Sequence, residues 1–351
     1  MNISASPGRA TASVGAALPR HTDFSQFAIG FDPCDRALLH ELWDEVIDSQ
    51  QWTDGEMTRR FEASWSAWNQ APAVAFSGWA GGALAALDHA GVAGETVLCP
   101  SNTFMATPLA IRRAGADVVF VDCNREDLCM SFADFEAKAE RHRPRAAVLV
   151  HIGGHLAFES EEIARYCRDH GIFLLEDCAH AHGAGWNGRR PGTFGDAGVY
   201  SFYATKTVST GEGGVLVSAD PDLLAHARAF RDYGKPDHVV AGLNFRMSEF
   251  TAALALVQAE RMPEIVAWKN AVAREHLDPI HPHRPALPEG MVSGLYKYIV
   301  FSPIERSTGK VYDNPCHRIM GTADDLPNTD WVARNHWCVP LYYRPLQDSV
   351  A

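Results

Sequence analysis

Three short polar clusters in this chain carry groups that could do covalent chemistry. The first ends on a lysine: Ser201-Phe202-Tyr203-Ala204-Thr205-Lys206 runs on toward Gly211-Glu212-Gly213-Gly214. A lysine amine attacks a carbonyl only when partly neutral, and burial near other positive charge makes it so. The second cluster, Glu176-Asp177-Cys178-Ala179-His180-Ala181-His182-Gly183, sets carboxylates directly after an apolar run. The third, Ser77-Gly78-Trp79-Ala80-Gly81-Gly82-Ala83-Leu84, is a small-residue turn entering a helical stretch. Backbone N–H groups at a helix N-terminus bind phosphate, and glycines let it come close. Taken singly, each cluster has a plain structural explanation: a surface lysine, a helix-capping acid and a packing turn.

The elements around these clusters set them on one sheet. From Val74 to Leu216 short apolar runs alternate with helical stretches. The runs are 74–76, 96–98, 117–121, 146–150 and 172–175, and the helices fall over 107–114, 132–141 and 159–170. Unbroken apolar strands between helices mean a mainly parallel sheet covered on both faces, an α/β fold. Ligands of open α/β sheets collect outside the carboxyl ends of the strands, where all three clusters lie. Helices are expected over 223–231 and from Ser248 to about Leu277, followed by a proline-rich linker to Gly290 and a strand over 297–301. The expected division is a tail over 1–25, a large domain over 26–262 and a small C-terminal α+β domain over 263–351. The Ala/Ser/Gly/Thr-rich tail reads as disordered; a transit peptide is the alternative.

Composition excludes several classes. A formal charge of −12 argues against nucleic acid or anionic membrane as partner, although a local pocket can still be positive. The eight cysteines are scattered without a C-x-x-C pair, which suits free thiols in a reducing cytoplasm and no metal. No apolar run approaches the ~20 residues that span a bilayer. These features lead to the expectation of a cytoplasmic enzyme.

Together the clusters resemble the DegT/DnrJ/EryC1/StrS family of sugar aminotransferases, with similarity from about Phe27 to Leu277 and weaker echoes to Tyr343. The motifs are E-D-x-A-x-x-x-G at 176–183, S-F-x-x-x-K at 201–206, G-E-G-G at 211–214, N-F-R-M-S-E at 244–249 and P-S-N-T-F at 100–104. The resemblance implies the type I fold of pyridoxal-phosphate enzymes. It makes Lys206 the Schiff-base lysine and proton shuttle, with Asp177 as partner of the pyridine nitrogen, which turns the ring into an electron sink. It implies that Phe104 stacks on the ring and that His180 contacts the phenolic oxygen. Ser201 and the amides near Gly81 and Gly82 would hold the phosphate, and Asn244 would reach it from the partner subunit of a homodimer with shared sites. The implied reaction moves an amino group, with glutamate as donor and pyridoxamine phosphate as the half-reaction form, to a nucleotide-linked keto-deoxyhexose.

The chain departs from the family pattern in three places. His180 replaces a usual Gln, which would make the site respond to pH near neutrality. The turn 77–84 is one residue longer than usual, with Gly81 in place of Thr. The C-terminal region lacks a helix before Tyr312-Asp313-Asn314-Pro315-Cys316-His317, so Tyr312 and His317 stand open between lining the substrate pocket and packing. Arg231, Lys235 and Arg246 are unranked candidates for a substrate diphosphate. Keto-cyclitol amination and a silent regulator on the same fold are the alternatives. The related sugar 3-dehydratases carry His at the lysine position, so Lys206 argues against that activity. The G-x-G-x-x-G loop of a nucleotide-binding dehydrogenase is missing.

Overall fold

The structure, a computed structural model, describes residues 30–343. The tail expected over 1–25 lies outside that range. Two helices open the described chain, α1 (Pro33–Ser49) and α2 (Glu56–Asn69). Helix α1 begins on a capping box in which Asp32 and Asp35 each accept the other's backbone N–H. The α/β alternation follows: β1 (Ala73–Phe76), α3 (Trp79–His89), β2 (Thr96–Pro100), α4 (Ala106–Arg113), β3 (Asp117–Val121), α5 (Phe132–His142), β4 (Ala146–Val150), α6 (Ser160–His170) and β5 (Phe173–Asp177). After it come β6 (Gly185–Trp186), β7 (Ala197–Ser201), β8 (Gly214–Val217), α7 (Pro221–Phe230) and α8 (Glu249–Val272).

Seven strands form one sheet in the order β1-β8-β7-β5-β4-β2-β3. All neighbours are parallel except β8, which runs antiparallel to both β1 and β7. Strands β4, β7 and β8 are buried along their whole length, as unbroken apolar runs between two helical layers require. The expected α/β architecture is therefore the observed one. Strands β5 and β7 are neighbours, with Asp177 paired to Val199, so the two sequence clusters ending on Asp177 and Ser201 emerge side by side.

Helix α8 passes through the expected domain division and ends in a π-helical turn, Ala273–Leu277. Beyond it lie β9 (Met291–Val292), β10 (Tyr298–Val300), α9 (Cys316–Ile319), α10 (Pro327–Asn335) and β11 (Trp337–Val339). Strands β10 and β11 pair antiparallel, and a small second core gathers Val272, Leu277, Leu295, Tyr298, Val300 and Leu341. Cys316, Leu326 and Val332 join the main core instead. No helix intervenes between β10 and Tyr312, as the sequence pattern indicates. No helix of the described residues is long and apolar enough to cross a membrane.

Candidate active site

Asp177 is the last residue of β5 and is buried. One of its carboxylate oxygens accepts the Ala179 N–H at 3.1 Å, and the other accepts the Thr107 hydroxyl at 3.1 Å. Thr107 in turn meets the Thr103 hydroxyl at 3.0 Å. The segment 100–104 and the start of α4 thus hold the carboxylate from one side. Burial raises the Asp177 pKa, while the Ala179 N–H, the Lys206 charge and the Thr107 hydroxyl oppose the rise. A cation brought against this carboxylate would complete its ionisation.

Lys206 lies in the turn after β7, its backbone N–H bonded to the Tyr203 carbonyl at 2.9 Å. Its Nζ stands 4.8 Å from the centre of the Tyr296 ring. Burial lowers its pKa to about 8; the nearby Asp177 charge resists the fall and the Lys297 charge adds to it. A lysine with that pKa is about one-tenth neutral at pH 7, against well under a thousandth for a free one. Sequence reasoning singled out Lys206 but missed the aromatic ring and the second lysine that tune it.

His180 is buried beside Tyr296, with ring centres 4.2 Å apart. The Gly153 N–H donates to Nδ1 at 3.4 Å, which leaves the proton on Nε2, 3.4 Å from the Tyr312 hydroxyl. This tautomer is assigned from the hydrogen-bond network. The expected response of His180 to pH near neutrality is corrected here. Burial, with Lys206 and Lys297 adding positive charge, holds its pKa well below the ordinary value. The ring is a neutral hydrogen-bonding group throughout the physiological range.

The third cluster forms the start of α3. Its N-cap is Gly78, with no side-chain cap bond, so the N–H groups of the first turn point outward uncapped. Gly81 donates to the Gly78 carbonyl at 3.2 Å, which leaves Trp79 and Ala80 as the open amides. Gly81 and Gly82 are also closely packed. A Cβ on Gly81 would sit 2.9 Å from atoms of Phe245 and Phe76, and one on Gly82 3.1 Å from Val199. The family's Thr cannot be accommodated at 81 without moving Phe245. Gly214 fills a comparable role from β8: a Cβ there would lie 2.5 Å from the Gly78 carbonyl and 2.7 Å from the Trp79 nitrogen. Ser201, at the end of β7, is buried, and its hydroxyl accepts the Tyr203 N–H at 3.3 Å.

Phe104 is 65% exposed. Asn244 is also exposed, and its side-chain oxygen accepts the Arg246 N–H at 3.3 Å. Tyr312 reaches His180, as above, whereas His317 does not enter the site. The His317 ring is fully buried, with Nδ1 2.6 Å from the Ser101 hydroxyl and Nε2 3.6 Å from Asp330. It ties α9 to the segment that carries Phe104, a packing role. Among the diphosphate candidates, Arg231 is buried against Glu62 and the Ala75 carbonyl, so it is structural. Arg246 and Lys235 both pair with Asp232.

The sheet and this site define the type I fold of pyridoxal-phosphate-dependent transferases. The chain belongs to the DegT/DnrJ/EryC1/StrS aminotransferase family, whose pattern matches residues 33–288. It is 35% identical over 185 residues to GDP-perosamine synthase of Escherichia coli O157:H7, a match covering 51% of this chain and 50% of that protein. The chain therefore aligns with about half the length of that relative. It is 30% identical to dTDP-3-amino-3,4,6-trideoxy-alpha-D-glucose transaminase of Micromonospora megalomicea subsp. nigra, covering 90% and 93% of the two chains. Its fold superposes on DesV of S. venezuelae with a TM-score of 0.81 at 27% identity, over 87% and 89% of the chains.

Proposed function

We propose that this protein binds pyridoxal phosphate at Lys206 and transfers an amino group, with glutamate as donor, to a nucleotide-linked keto sugar. The observation that carries the reading is a half-buried lysine of lowered pKa within reach of the charge of a buried carboxylate, following neighbouring strands at their carboxyl ends. The cofactor fits the residues present. An uncapped helix start suits its phosphate, a buried carboxylate short of a cation suits its ring nitrogen, and a neutral imidazole suits its phenolic oxygen.

When bound, pyridoxal phosphate supplies an electrophilic carbon and a ring that delocalises the electron pair left at the substrate carbon. Asp177 keeps a proton on the ring nitrogen. Thr107 and the Ala179 N–H hold Asp177 in place. The Lys206 amine, half-buried and of lowered pKa, would be the base that holds the proton removed from the substrate carbon bearing the amine. His180 Nε2–H would hold the phenolic oxygen, with Tyr312 steadying the imidazole. The open Trp79 and Ala80 amides and the Ser201 hydroxyl would hold the phosphate, with Gly81, Gly82 and Gly214 keeping that turn close. Phe104 would cover the cofactor ring, and Asn244 would complete the phosphate site of the other subunit in a cytoplasmic homodimer.

Borohydride reduction of the holoenzyme and peptide mapping test the reading. Pyridoxyl label is expected on Lys206, and label on any other residue refutes it. A screen of nucleotide keto-sugars and keto-cyclitols with glutamate then distinguishes the two acceptor classes.

A further inference from the structure

The cavity that Lys206 helps to line carries more positive charge than the transamination roles above use. Lys206, Lys269 and Lys297 all line it, and it offers about 60 Å³ of free space. No Asp or Glu of the described residues is among its walls. A fourth cation there, Arg261, is already neutralised by Asp35 at 2.8 Å. Lys269 projects from α8 and is only 5% exposed, and among the described residues its Nζ donates to the Leu295 carbonyl, at 3.1 Å. Lys297 holds its Nζ 5.1 Å from the centre of the same Tyr296 ring that Lys206 faces. Among the described residues, neither Lys269 nor Lys297 pairs with a carboxylate.

Like charges gathered in a partly desolvated cavity repel one another, and a bound anion is what relieves them. Burial and the Lys297 charge lower the Lys269 pKa to about 7, the expected sign of such crowding. None of the family motifs noted in the sequence includes either residue.

We propose that Lys269 and Lys297 form an anion subsite that takes a carboxylate of the amino-acid donor. The inference rests on the proposed transamination, because it places the donor's amine at Lys206. The chemistry favours a carboxylate over the sugar's diphosphate. A donor carboxylate is one carbon from the amine that must replace Lys206, or a short methylene arm away. A diphosphate on the anomeric carbon is separated from the reacting carbonyl by the sugar ring. The free space of about 60 Å³ between the lysines suits a short carboxylate arm.

The test is a calorimetric titration of the protein, with and without pyridoxal phosphate, using glutarate, a dicarboxylate without an amine. The parent protein should bind it, and Lys297→Met and Lys269→Met should each weaken binding at least tenfold. Titration with thymidine diphosphate should be unchanged in both variants. Lys297 is half-buried at the cavity rim, so its variant keeps the test open if Lys269→Met fails to fold. Unchanged glutarate affinity in the variants overturns the inference. So does a parent protein that ignores millimolar glutarate, or variants that lose thymidine diphosphate instead. Borohydride mapping of the Lys297→Met holoenzyme separates the failures: label absent from Lys206 refutes the cofactor reading itself, whereas label there with unchanged glutarate binding refutes only the subsite.

Discussion

At the scale of single residues, two charges set the chemistry, and each gives a prediction with a definite sign. Lys206 has its pKa lowered to about 8 by burial, with the Lys297 charge assisting. Its neutral fraction therefore rises as pH rises through that value. Attachment of pyridoxal phosphate to the apo-protein, followed by stopped-flow absorbance, should accelerate from pH 6.5 to about 8 and level off above about 9. In Lys297→Met a repelling charge is gone, so the inflection should move to higher pH. A profile that keeps rising to the free-lysine value of about 10.4 contradicts this account. Asp177 gives the second prediction. Asp177→Asn retains shape but loses the charge that keeps the ring nitrogen protonated. Turnover should fall on the order of a thousandfold or more, about 4 kcal/mol of barrier, with the thermal midpoint little changed. An Asp that merely capped the following turn would show the reverse, a loss of about 1 kcal/mol of stability and near-normal turnover.

Elements, rather than residues, decide whether those charges meet, and here long-range caps do much of the positioning. Glu249 opens α8 but spends its carboxylate on α2, accepting the N–H groups of Gly55, Met57 and Thr58 and the Thr58 hydroxyl. Burial of that carboxylate without a cation is offset by the positive end of the α2 dipole. Glu249→Ala should leave buried donors unpaired and lower stability by about 2 kcal/mol, read from urea unfolding of the apo-protein. A loss within error would mean that the cap is replaced by water. Asp122 does the same for α10, accepting the Asn328 and Thr329 N–H groups at 3.0 and 2.6 Å. Such partners lie some two hundred residues apart, so no local pattern reveals them. The strands and helices were readable because apolar runs and helical periodicity are local, and Asp177 and Lys206 because they follow strands. Lys297 falls at the start of an expected strand, yet its approach to Lys206 depends on how β10 docks. His317 looked as available as Tyr312 for the same reason: only the bond to Ser101 shows it turned into the core. His180 looked pH-responsive because burial at the base of a pocket cannot be read from its neighbours in sequence.

The whole molecule raises the question of what completes the site. We propose a large domain over 26–262 and a small one over 263–351, with α8 running between them; the second core around Val272, Leu295 and Tyr298 supports the smaller unit. Tyr296, Lys297 and Tyr312 all come from that C-terminal part, so Lys206 and His180 face residues that the proposed division puts across the boundary. One side of the site still stands open within a single chain. Phe104 is exposed, and Asn244 is exposed on a loop where it bridges Asp232 and accepts the Arg246 N–H. Large exposed apolar side chains on a globular chain mark a docking surface when they gather near a functional site. If the partner subunit supplies Asn244, each site draws Lys206 from one chain and Asn244 from the other. Mixing two inactive proteins then has a definite outcome. Lys206→Ala combined with an Asn244→Asp protein should form mixed dimers in which one of the two sites carries neither substitution. Activity should return toward a quarter of the parent value, because random pairing makes half the dimers mixed, each with one intact site. An Asn244 that served its own chain would leave every site in the mixture with one defect, and no activity would return. A chain that stays monomeric in sedimentation while fully active would overturn the shared site at once.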